Sequence, residues 1–300
     1  MRLGVDFGGT KIEAAMLDSK GEILARRRVP NPGGYDAAVR AVADLTARIE
    51  QEAGVRAVTV GVGMPGSLSP ATGLVRNANS IWLNGRPFLT DLEIALARPV
   101  RVENDANCFV LSEAVDGAAA DGRVVFGVIL GTGCGGGLVV ERKVIEGVNG
   151  IGGEWGHTPL PWARADENAG RHWCGRPNCM EQWVSGSGFK RWAGMSAREA
   201  GEKALAGDAK ARVALDLLAD RLARGLAVVI DIVDPDVIVF GGGVSNVAGL
   251  CVSVRGKLLA HVFSDVVRTR LVKNMHGDSS GVRGAAWLFD PEGEASEHMQ

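Results

Sequence analysis

Aromatic residues are scarce in this chain of 300 residues, at 5%, and only one of them is tyrosine. Basic charge is not in excess either, because 33 lysines and arginines face 35 aspartates and glutamates. This balance lacks the excess of basic charge that is typical of proteins that bind nucleic acid. The longest uncharged stretch, 124–140, falls just short of a membrane span and carries a glycine-rich run. Since Asp6 interrupts any apolar leader, we expect a cytoplasmic protein with no membrane contact.

Cysteine is also sparse, and glycine is the residue in excess. The five cysteines are too scattered for a disulfide framework, and only Cys174 and Cys179 cluster. The 42 glycines are about twice the usual share. An apolar content of 46% rules out disorder as the main state. Glycine excess without a collagen-like period indicates backbone that turns tightly or approaches a ligand closely.

A pattern of strand, glycine-rich turn and strand occurs twice. The strand 2–6 leads into the turn Asp6–Lys11 and then into a strand at 12–17, and the strand 124–130 leads into a glycine-rich turn at 131–137. The alternation of strands and helices favours an α/β fold with a parallel or mixed sheet, and the repeat suggests a duplicated fold with both turns facing one cleft. The other predicted elements are helices at 35–53, 106–115 and 210–233, a helix from about 247, and strands at 22–29, 58–62, 138–140 and 237–240.

The glycine-rich turns are candidate phosphate sites. Asp6–Lys11 combines backbone N–H groups, a hydroxyl and a cation, and Asp6 is placed to reach Mg²⁺ through water. Gly131–Gly133 has the same character, and Gly241–Gly243 follows a third strand and opens a helix. A plain hairpin also explains the first turn. Neither a Walker motif nor a dinucleotide fingerprint occurs in the right context, but three such turns in order favour a phosphate site.

Six stretches together resemble the ROK family of sugar kinases and sugar-sensing repressors, in the family's order along the whole chain. They are Asp6–Lys11, Asn104–Asn107, Leu130–Gly137, Gly153–His157, Cys174–Glu181 and Gly277–Ala286. Within the family, Asn77–Gly85 and Glu154–Trp162 most resemble bacterial fructokinases of the manno(fructo)kinase kind. N-acetylglucosamine kinases are the nearest neighbours.

The resemblance implies an actin-like ATPase (ribonuclease H-like) duplicated fold with two lobes around a cleft. The small lobe is expected at 1–116, with a C-terminal helix at about 281–289 packing back on it. The large lobe, with a zinc-binding segment, is expected at 117–280. Family members are commonly homodimers, so we expect one here. Some members carry an N-terminal DNA-binding domain, which we do not expect here because the phosphate turn begins at Asp6.

The resemblance also implies ATP-dependent phosphoryl transfer to a sugar hydroxyl. Asp105 is the predicted general base, although by its position alone it is better explained as a cap of the following helix. Mg²⁺ is expected to accompany ATP. The candidate ATP-binding residues are Asp6, Gly8, Gly9, Thr10, Lys11, Thr132, Gly133, Gly241, Gly242 and Gly243.

Vicinal sugar hydroxyls are recognised by paired polar groups, which the resemblance places at several positions. The candidate substrate-binding residues are Gly66, Ser67, Asn79, Asn104, Asp105, Glu154, His157 and Glu181, with Asn84 as a further subfamily determinant. The simpler explanation of the glutamates is solvated surface charge, and that of Ser67 is a turn residue after Pro65-Gly66.

The family's zinc site, one His and three Cys, maps onto His157, His172, Cys174 and Cys179. The sequence departs from the pattern where His172 replaces the first Cys and where Asn178 replaces a Gly. Because imidazole is a good zinc ligand, we expect a structural Zn²⁺ that orients His157 and Glu181 toward the sugar.

These inferences combine into a predicted function. We expect an ATP-dependent hexose kinase that converts D-fructose to D-fructose 6-phosphate. The same chemistry on mannose, glucose or N-acetylglucosamine is the first alternative. A non-catalytic sugar-sensing regulator is the second, and Asp105 argues against it because a pure sensor needs no base.

Overall fold

The computed structural model describes residues 1–289, which divide into two compact units. Unit 1 contains Met1–Gly117, Glu146–Gly152 and the described residues from His276 onward. Unit 2 contains Ala118–Ile145 and Gly153–Met275.

This division departs from the predicted lobe boundaries mainly at Glu146–Gly152, which was expected in the large lobe. The segment belongs with unit 1 because the Arg76 guanidinium donates hydrogen bonds to the carbonyls of Asn149, at 2.6 Å, and Gly150, at 3.3 Å. The chain returns to unit 1 for the last time after Met275, a few residues before the predicted 280.

The described strands and helices are numbered along the chain. The strands are β1 (Arg2–Phe7), β2 (Lys11–Leu17), β3 (Ile23–Pro30), β4 (Val60–Met64), β5 (Ser67–Leu68), β6 (Val75–Arg76), β7 (Val100–Asn104), β8 (Val124–Leu130), β9 (Cys134–Val140), β10 (Lys143–Val144), β11 (Val237–Gly241) and β12 (Arg270–Lys273). The α-helices are α1 (Tyr35–Ala53), α2 (Phe88–Leu96), α3 (Asp105–Val115), α4 (Glu181–Val184), α5 (Gly186–Ala193), α6 (Ala197–Leu205), α7 (Ala209–Val233), α8 (Leu250–Leu258) and α9 (Ser280–Ala286).

The two units repeat one sheet topology. In unit 1 the strand order is β3-β2-β1-β4-β7, and in unit 2 it is β10-β9-β8-β11-β12. In each sheet the first three strands along the chain pair antiparallel, and the last two add in parallel. Both sheets are therefore mixed, and the duplication predicted from the two strand–turn–strand patterns is present in the fold.

Local patterns account for the elements that were predicted well. In α1, Val39, Val42, Leu45 and Ile49 are buried at helical spacing, and the helix ends at Gly54, whose φ of 67° is left-handed. In unit 2, α7 is 25 residues long and buries most of its inward-facing side chains in the core. Among residues 1–289, no helix combines the length and apolar composition needed to cross a bilayer.

The C-terminal helix α9 packs directly on the sheet of unit 1, and glycines make this possible. A Cβ on Gly4 would lie 2.2 Å from the Val282 carbonyl oxygen, and one on Gly61 would lie 1.8 Å from that of Ala285. Backbone therefore packs on backbone at both places. The helix is shorter than the predicted 281–289, because it ends at Ala286.

Several predicted boundaries were wrong. The helix expected from about 247 begins at Leu250, because a 3₁₀ helix at Gly243–Asn246 comes first. The strand expected at 138–140 starts at Cys134, because its glycines pair with β8. The strand expected at 58–62 is shifted to Val60–Met64.

Candidate active site

The turn between β1 and β2 presents polar groups to solvent. The Gly8 N–H donates to the Lys11 carbonyl at 3.0 Å, and the Asn31 side-chain amide donates to the Gly8 carbonyl at 2.8 Å. These bonds fix a tight turn in which Gly9 and Thr10 are exposed. The turn therefore offers backbone donors, a hydroxyl and a lysine, as a polyphosphate site requires.

Asp6, near the end of β1, has a perturbed acidity. Burial, and after it the negative charges of Asp105 and Glu13, raise its pKa to about 6. A Cβ on Gly281 would lie 3.1 Å from the Asp6 carboxyl group, so α9 approaches this carboxylate closely. A cation beside Asp6 would relieve the cost of its charge, which is the setting expected for a group that faces Mg²⁺.

Asp105 lies at the N-terminus of α3 and is exposed. Asn104 is the N-cap: its side chain accepts from the Ala106 N–H at 2.9 Å and donates to the Gly66 carbonyl at 2.8 Å. The Asp105 carboxylate also accepts from the Ala106 N–H, at 2.8 Å. Because Asn104 already caps the helix, capping does not by itself account for Asp105. The positive end of the helix favours the ionised form of this carboxylate.

Glu103, the last residue but one of β7, was not singled out in the sequence. It accepts from the Asn104 N–H at 2.7 Å and from the Asn107 side chain at 3.0 Å. Burial raises its pKa to about 7, and the nearby Glu146 acts in the same direction. Its position two residues before Asp105 was the only available signal.

Gly66 precedes Ser67, the first residue of β5, and β5 pairs with β6. Gly66 has a φ of 79°, and a Cβ there would lie 2.4 Å from the Arg76 carbonyl oxygen, so only glycine fits. Ser67 accepts from the Arg76 guanidinium at 3.2 Å. Through Asn104 this segment is tied to the start of α3, so three predicted substrate residues lie together with Asp105.

Asn79 and Asn84 have different surroundings. Asn79 is exposed, and its side-chain oxygen is 4.0 Å from the Cβ position of Gly9, so it lies beside the phosphate turn. The Asn84 side chain both accepts from the Ala78 N–H and donates to the Ala78 carbonyl, each at 2.9 Å. Asn84 therefore holds the loop together and has little capacity left for a sugar.

In unit 2, the turn between β8 and β9 contains two predicted ATP residues, Thr132 and Gly133, which have different neighbours. The Ser187 hydroxyl donates to the Thr132 carbonyl at 2.6 Å, and the Gly131 N–H donates to the Gly133 carbonyl at 3.0 Å. A Cβ on Gly133 would lie only 2.7 Å from a carboxylate oxygen of Glu181. Gly133 therefore belongs beside a predicted sugar residue.

The Gly241–Gly243 segment packs against the same turn. Gly242 has a φ of 82°, and a Cβ there would lie 2.5 Å from the Leu130 carbonyl carbon. Gly241 is the buried last residue of β11, and Gly243 begins the 3₁₀ helix. The predicted α-helix directly after these glycines is therefore absent from this position, because Gly242 must first turn the chain past β8.

A cavity of about 1090 Å³ opens beside these turns in unit 2. Of the predicted ATP residues, Thr132 and Gly243 line it; Gly133, Gly241 and Gly242 do not. Further lining residues come from α5, α6, α7 and the segment after Gly243, and sequence reasoning missed them: Lys190, Arg198, Leu205, Arg212, Leu215 and Val244. Apolar walls with a basic rim suit a nucleoside joined to phosphates.

The four predicted zinc ligands lie together. The ligand atoms of His157, His172, Cys174 and Cys179 are all within 4.8 Å of one another. His172 Nδ1 is 3.1 Å from Cys174 Sγ, which is 3.6 Å from Cys179 Sγ. A tetrahedral zinc ion with these ligand types separates its donor atoms by roughly 3.3–3.8 Å. These distances are compatible with a zinc site.

A buried ring nitrogen without a partner also supports the fit of these four side chains to a zinc ion. His157 Nδ1 is buried and has no hydrogen-bond partner among residues 1–289. A buried ring nitrogen without a partner is costly unless it binds something. Burial and the adjacent Cys174 raise the pKa of Cys179 to about 11, and a cation would offset the cost of its thiolate.

The other ring nitrogens point to predicted sugar carboxylates. His157 Nε2 is 3.8 Å from a carboxylate oxygen of Glu154, and His172 Nε2 is 2.8 Å from Glu181 Oε1. The second oxygen of Glu181 accepts from the Cys134 N–H at 2.8 Å. Unit 2 thus joins its predicted sugar and zinc residues in one network.

The model of the ROK family matches residues 2–292. This chain belongs to the ROK family. Its two lobes with mixed α/β sheets are the actin-like ATPase fold, so the predicted fold class is confirmed.

Relatives and solved structures of the ROK family cover nearly the whole chain. An N-acetyl-D-glucosamine kinase from Shigella boydii serotype 4 is 38% identical over 96% of this chain and 99% of its own. The ROK hexokinase of Thermus thermophilus superposes with a TM-score of 0.85 at 32% identity, over 96% of this chain and 97% of its own. A Streptomyces griseus ROK glucokinase, solved with glucose and AMPPNP, gives a TM-score of 0.76 at 28% identity, over 96% and 98%. These relatives support an ATP-dependent sugar kinase.

Fructose, the sugar predicted first, is not supported by these relatives, which favour an alternative given with it. Two residues of the stretches that suggested fructose make structural contacts. Asn84 is bound to Ala78, and Trp155 is buried with its indole N–H on the Gly135 carbonyl at 3.0 Å. Residues that hold loops in place do not distinguish one hexose from another.

Proposed function

We propose that this ROK-family chain transfers the γ-phosphoryl group of ATP to the primary hydroxyl of N-acetyl-D-glucosamine. The observation that carries the proposal is the 38% identity, over 96% of the chain, to enzymes named for that sugar. Homodimer formation and a cytoplasmic location stay predictions of the sequence.

Asp105 is the proposed general base. Phosphoryl transfer through a loose transition state needs the acceptor hydroxyl held in line and its proton removed late. An exposed carboxylate at a helix N-terminus, beside Asn104 and Gly66, suits both tasks because the positive end of the helix lies beside it and its backbone is fixed.

The nucleotide groups are assigned within each unit. In unit 2 the cavity lined by Leu205, Leu215 and Val244 takes the adenosine, with Thr132 at its edge. In unit 1 the turn from Gly8 to Lys11 offers donors to phosphate oxygens. Asp6 binds the water shell of Mg²⁺, and its raised pKa fits a carboxylate that is fully ionised only beside a cation.

The sugar is held in unit 2 by Glu154, His157 and Glu181. Zinc held by His157, His172, Cys174 and Cys179 would supply rigidity only, since four protein ligands leave no open position for Lewis-acid chemistry. If the buried Nδ1 of His157 bound the ion, its Nε2 would carry the proton and be available to a sugar hydroxyl.

A coupled ADP-release assay across four sugars tests the substrate. N-acetylglucosamine is expected to give the highest kcat/KM, above glucose, mannose and fructose. A higher value for fructose would reverse the proposal and restore the first prediction. No ADP release with any of the four sugars would remove the kinase assignment.

Asp105→Asn tests the base. We expect turnover to fall about 10²–10⁴-fold, with sugar binding and folding retained, since the amide is isosteric. Asp44→Asn, the same change at an exposed position of α1, is the matched control. Turnover of Asp105→Asn within a few-fold of the parent would show that another group accepts the proton.

A further inference from the structure

His172 uses both ring nitrogens, and one of its contacts is unavailable to the Cys that the family pattern places there. Nδ1 faces Cys174 Sγ at 3.1 Å, inside the cluster, and Nε2 meets Glu181 Oε1 at 2.8 Å, outside it. A thiolate at this position would present one sulfur to the metal and no donor to the glutamate. The substitution therefore adds a link between the cluster and Glu181.

The neighbouring residue makes the same contact. The Trp173 indole N–H donates to the same oxygen, Glu181 Oε1, at 2.9 Å, although the Trp173 side chain is 70% exposed. This indole is therefore oriented by a hydrogen bond to a carboxylate as well as by ring contacts with His157 and His172, whose ring centroids lie 5.3 and 5.2 Å away. Together with the Cys134 N–H on the other oxygen, three donors fix the glutamate.

We propose that His172 and Trp173 are positioning residues that hold Glu181 for the hexose, so that metal occupancy and hexose affinity are coupled through the His172 ring. This rests on the proposed function, in which Glu181 binds sugar. A metal on Nδ1 forces the ring proton onto Nε2, where it is donated to Glu181. Without the metal the proton is free to sit on either nitrogen, and the orientation of the carboxylate weakens.

The decisive variant is His172→Cys, which restores a thiolate ligand and removes the donor to Glu181. We expect about one zinc per chain by elemental analysis, and a hexose dissociation constant about tenfold higher by calorimetry. The KM for ATP should be unchanged, because the effect acts through a sugar carboxylate. Trp173→Phe removes only the indole donor and should weaken hexose binding in the same sense.

Controls separate positioning from folding. Trp162→Phe makes the same chemical change at another half-exposed tryptophan of unit 2, where the ring stacks on His261, and should leave hexose affinity at the parent value. The parent stripped of metal with a chelator, with ATP affinity unchanged as evidence of folding, should show the same weakening of hexose binding as His172→Cys or a larger one.

Each outcome decides a separate point. A His172→Cys protein with full zinc and parental hexose affinity overturns the role of His172, and an unaffected Trp173→Phe overturns that of Trp173. If His172→Cys loses zinc, the stripped parent decides the point: weaker hexose binding without the metal supports the coupling, and parental hexose affinity without the metal overturns it. If the parent binds none of the four sugars, the proposed function fails, and the positioning role fails with it.

Discussion

Gly133 offers a sharp test of where the sugar carboxylate lies. A Cβ at this position would lie 2.7 Å from Glu181 Oε2, so Gly133→Ala must displace the glutamate. The fold should survive, because the displaced atom is the far end of a side chain and not backbone. Gly131→Ala, two residues earlier in the same turn, is the matched control, since a Cβ there meets nothing within 4 Å.

The expected loss of hexose affinity in Gly133→Ala follows from the hydrogen bond that is broken. Displacing Oε2 removes the bond from the Cys134 N–H, which is 2.8 Å long. A hydrogen bond to a charged group contributes about 1.5–3 kcal/mol, which corresponds to roughly a 10- to 100-fold rise in the hexose dissociation constant. The affinity for hexose should fall, and the affinity for ATP should stay unchanged.

Calorimetric titration with N-acetylglucosamine and, separately, with ATP measures both affinities, and urea unfolding checks the fold. Parental hexose affinity in Gly133→Ala would refute the placement of Glu181 at the sugar. A loss confined to ATP would instead support the assignment of Gly133 to the nucleotide, as predicted from the sequence.

Three further predictions use other parts of the molecule. Asp6→Asn should raise the free energy of unfolding at pH 7 by up to about 3 kcal/mol while lowering turnover. Because the native pKa of Asp6 is raised, the parent loses stability as pH rises from about 4 to 6. The extra stability of Asp6→Asn should therefore vanish in urea titrations at pH 4. An Asp6→Asn protein less stable than the parent at pH 7 would contradict this prediction. Gly284→Ala, whose Cβ would lie 1.6 Å from a backbone carbonyl oxygen of α3, should destabilise by about 1–3 kcal/mol or more. Gly256→Ala, in open space on α8, should stabilise by about 0.5–1 kcal/mol; thermal melts that rank the two the other way would contradict the packing of α9. Cys179→Ser should lose zinc by elemental analysis and weaken hexose binding more than ATP binding; a metal-free parent that is fully active would rule out the zinc site.

Much of the fold can be predicted from local patterns in the sequence. The period of α1, the strand–turn–strand repeat at β1 and β8, and the helix start at Asn104 are each carried by neighbours within a few residues. Elements with weak local signals were missed, including α2 and the short, largely polar β12. Their positions depend on the sheet or helix against which they pack.

The grouping of the four predicted zinc ligands could also be anticipated, because the resemblance supplied the four positions and their chemistry. The sequence alone did not reveal that the His172 ring reaches Glu181, or that Gly133 lies against the same carboxylate. These contacts join residues 9 and 48 positions apart, so neither spacing nor periodicity encodes them.

The sequence by itself determined the family, the duplicated α/β architecture and the residue types available for phosphate, sugar and metal. Only the tertiary structure decided which of those residues share a network. It placed Gly133 against the Glu181 carboxylate, committed Asn84 to its own loop, and gave His172 two partners. The physical reason is that chemical identity belongs to each residue, whereas hydrogen bonding and steric exclusion depend on distances of a few ångströms, which are set when remote segments pack together.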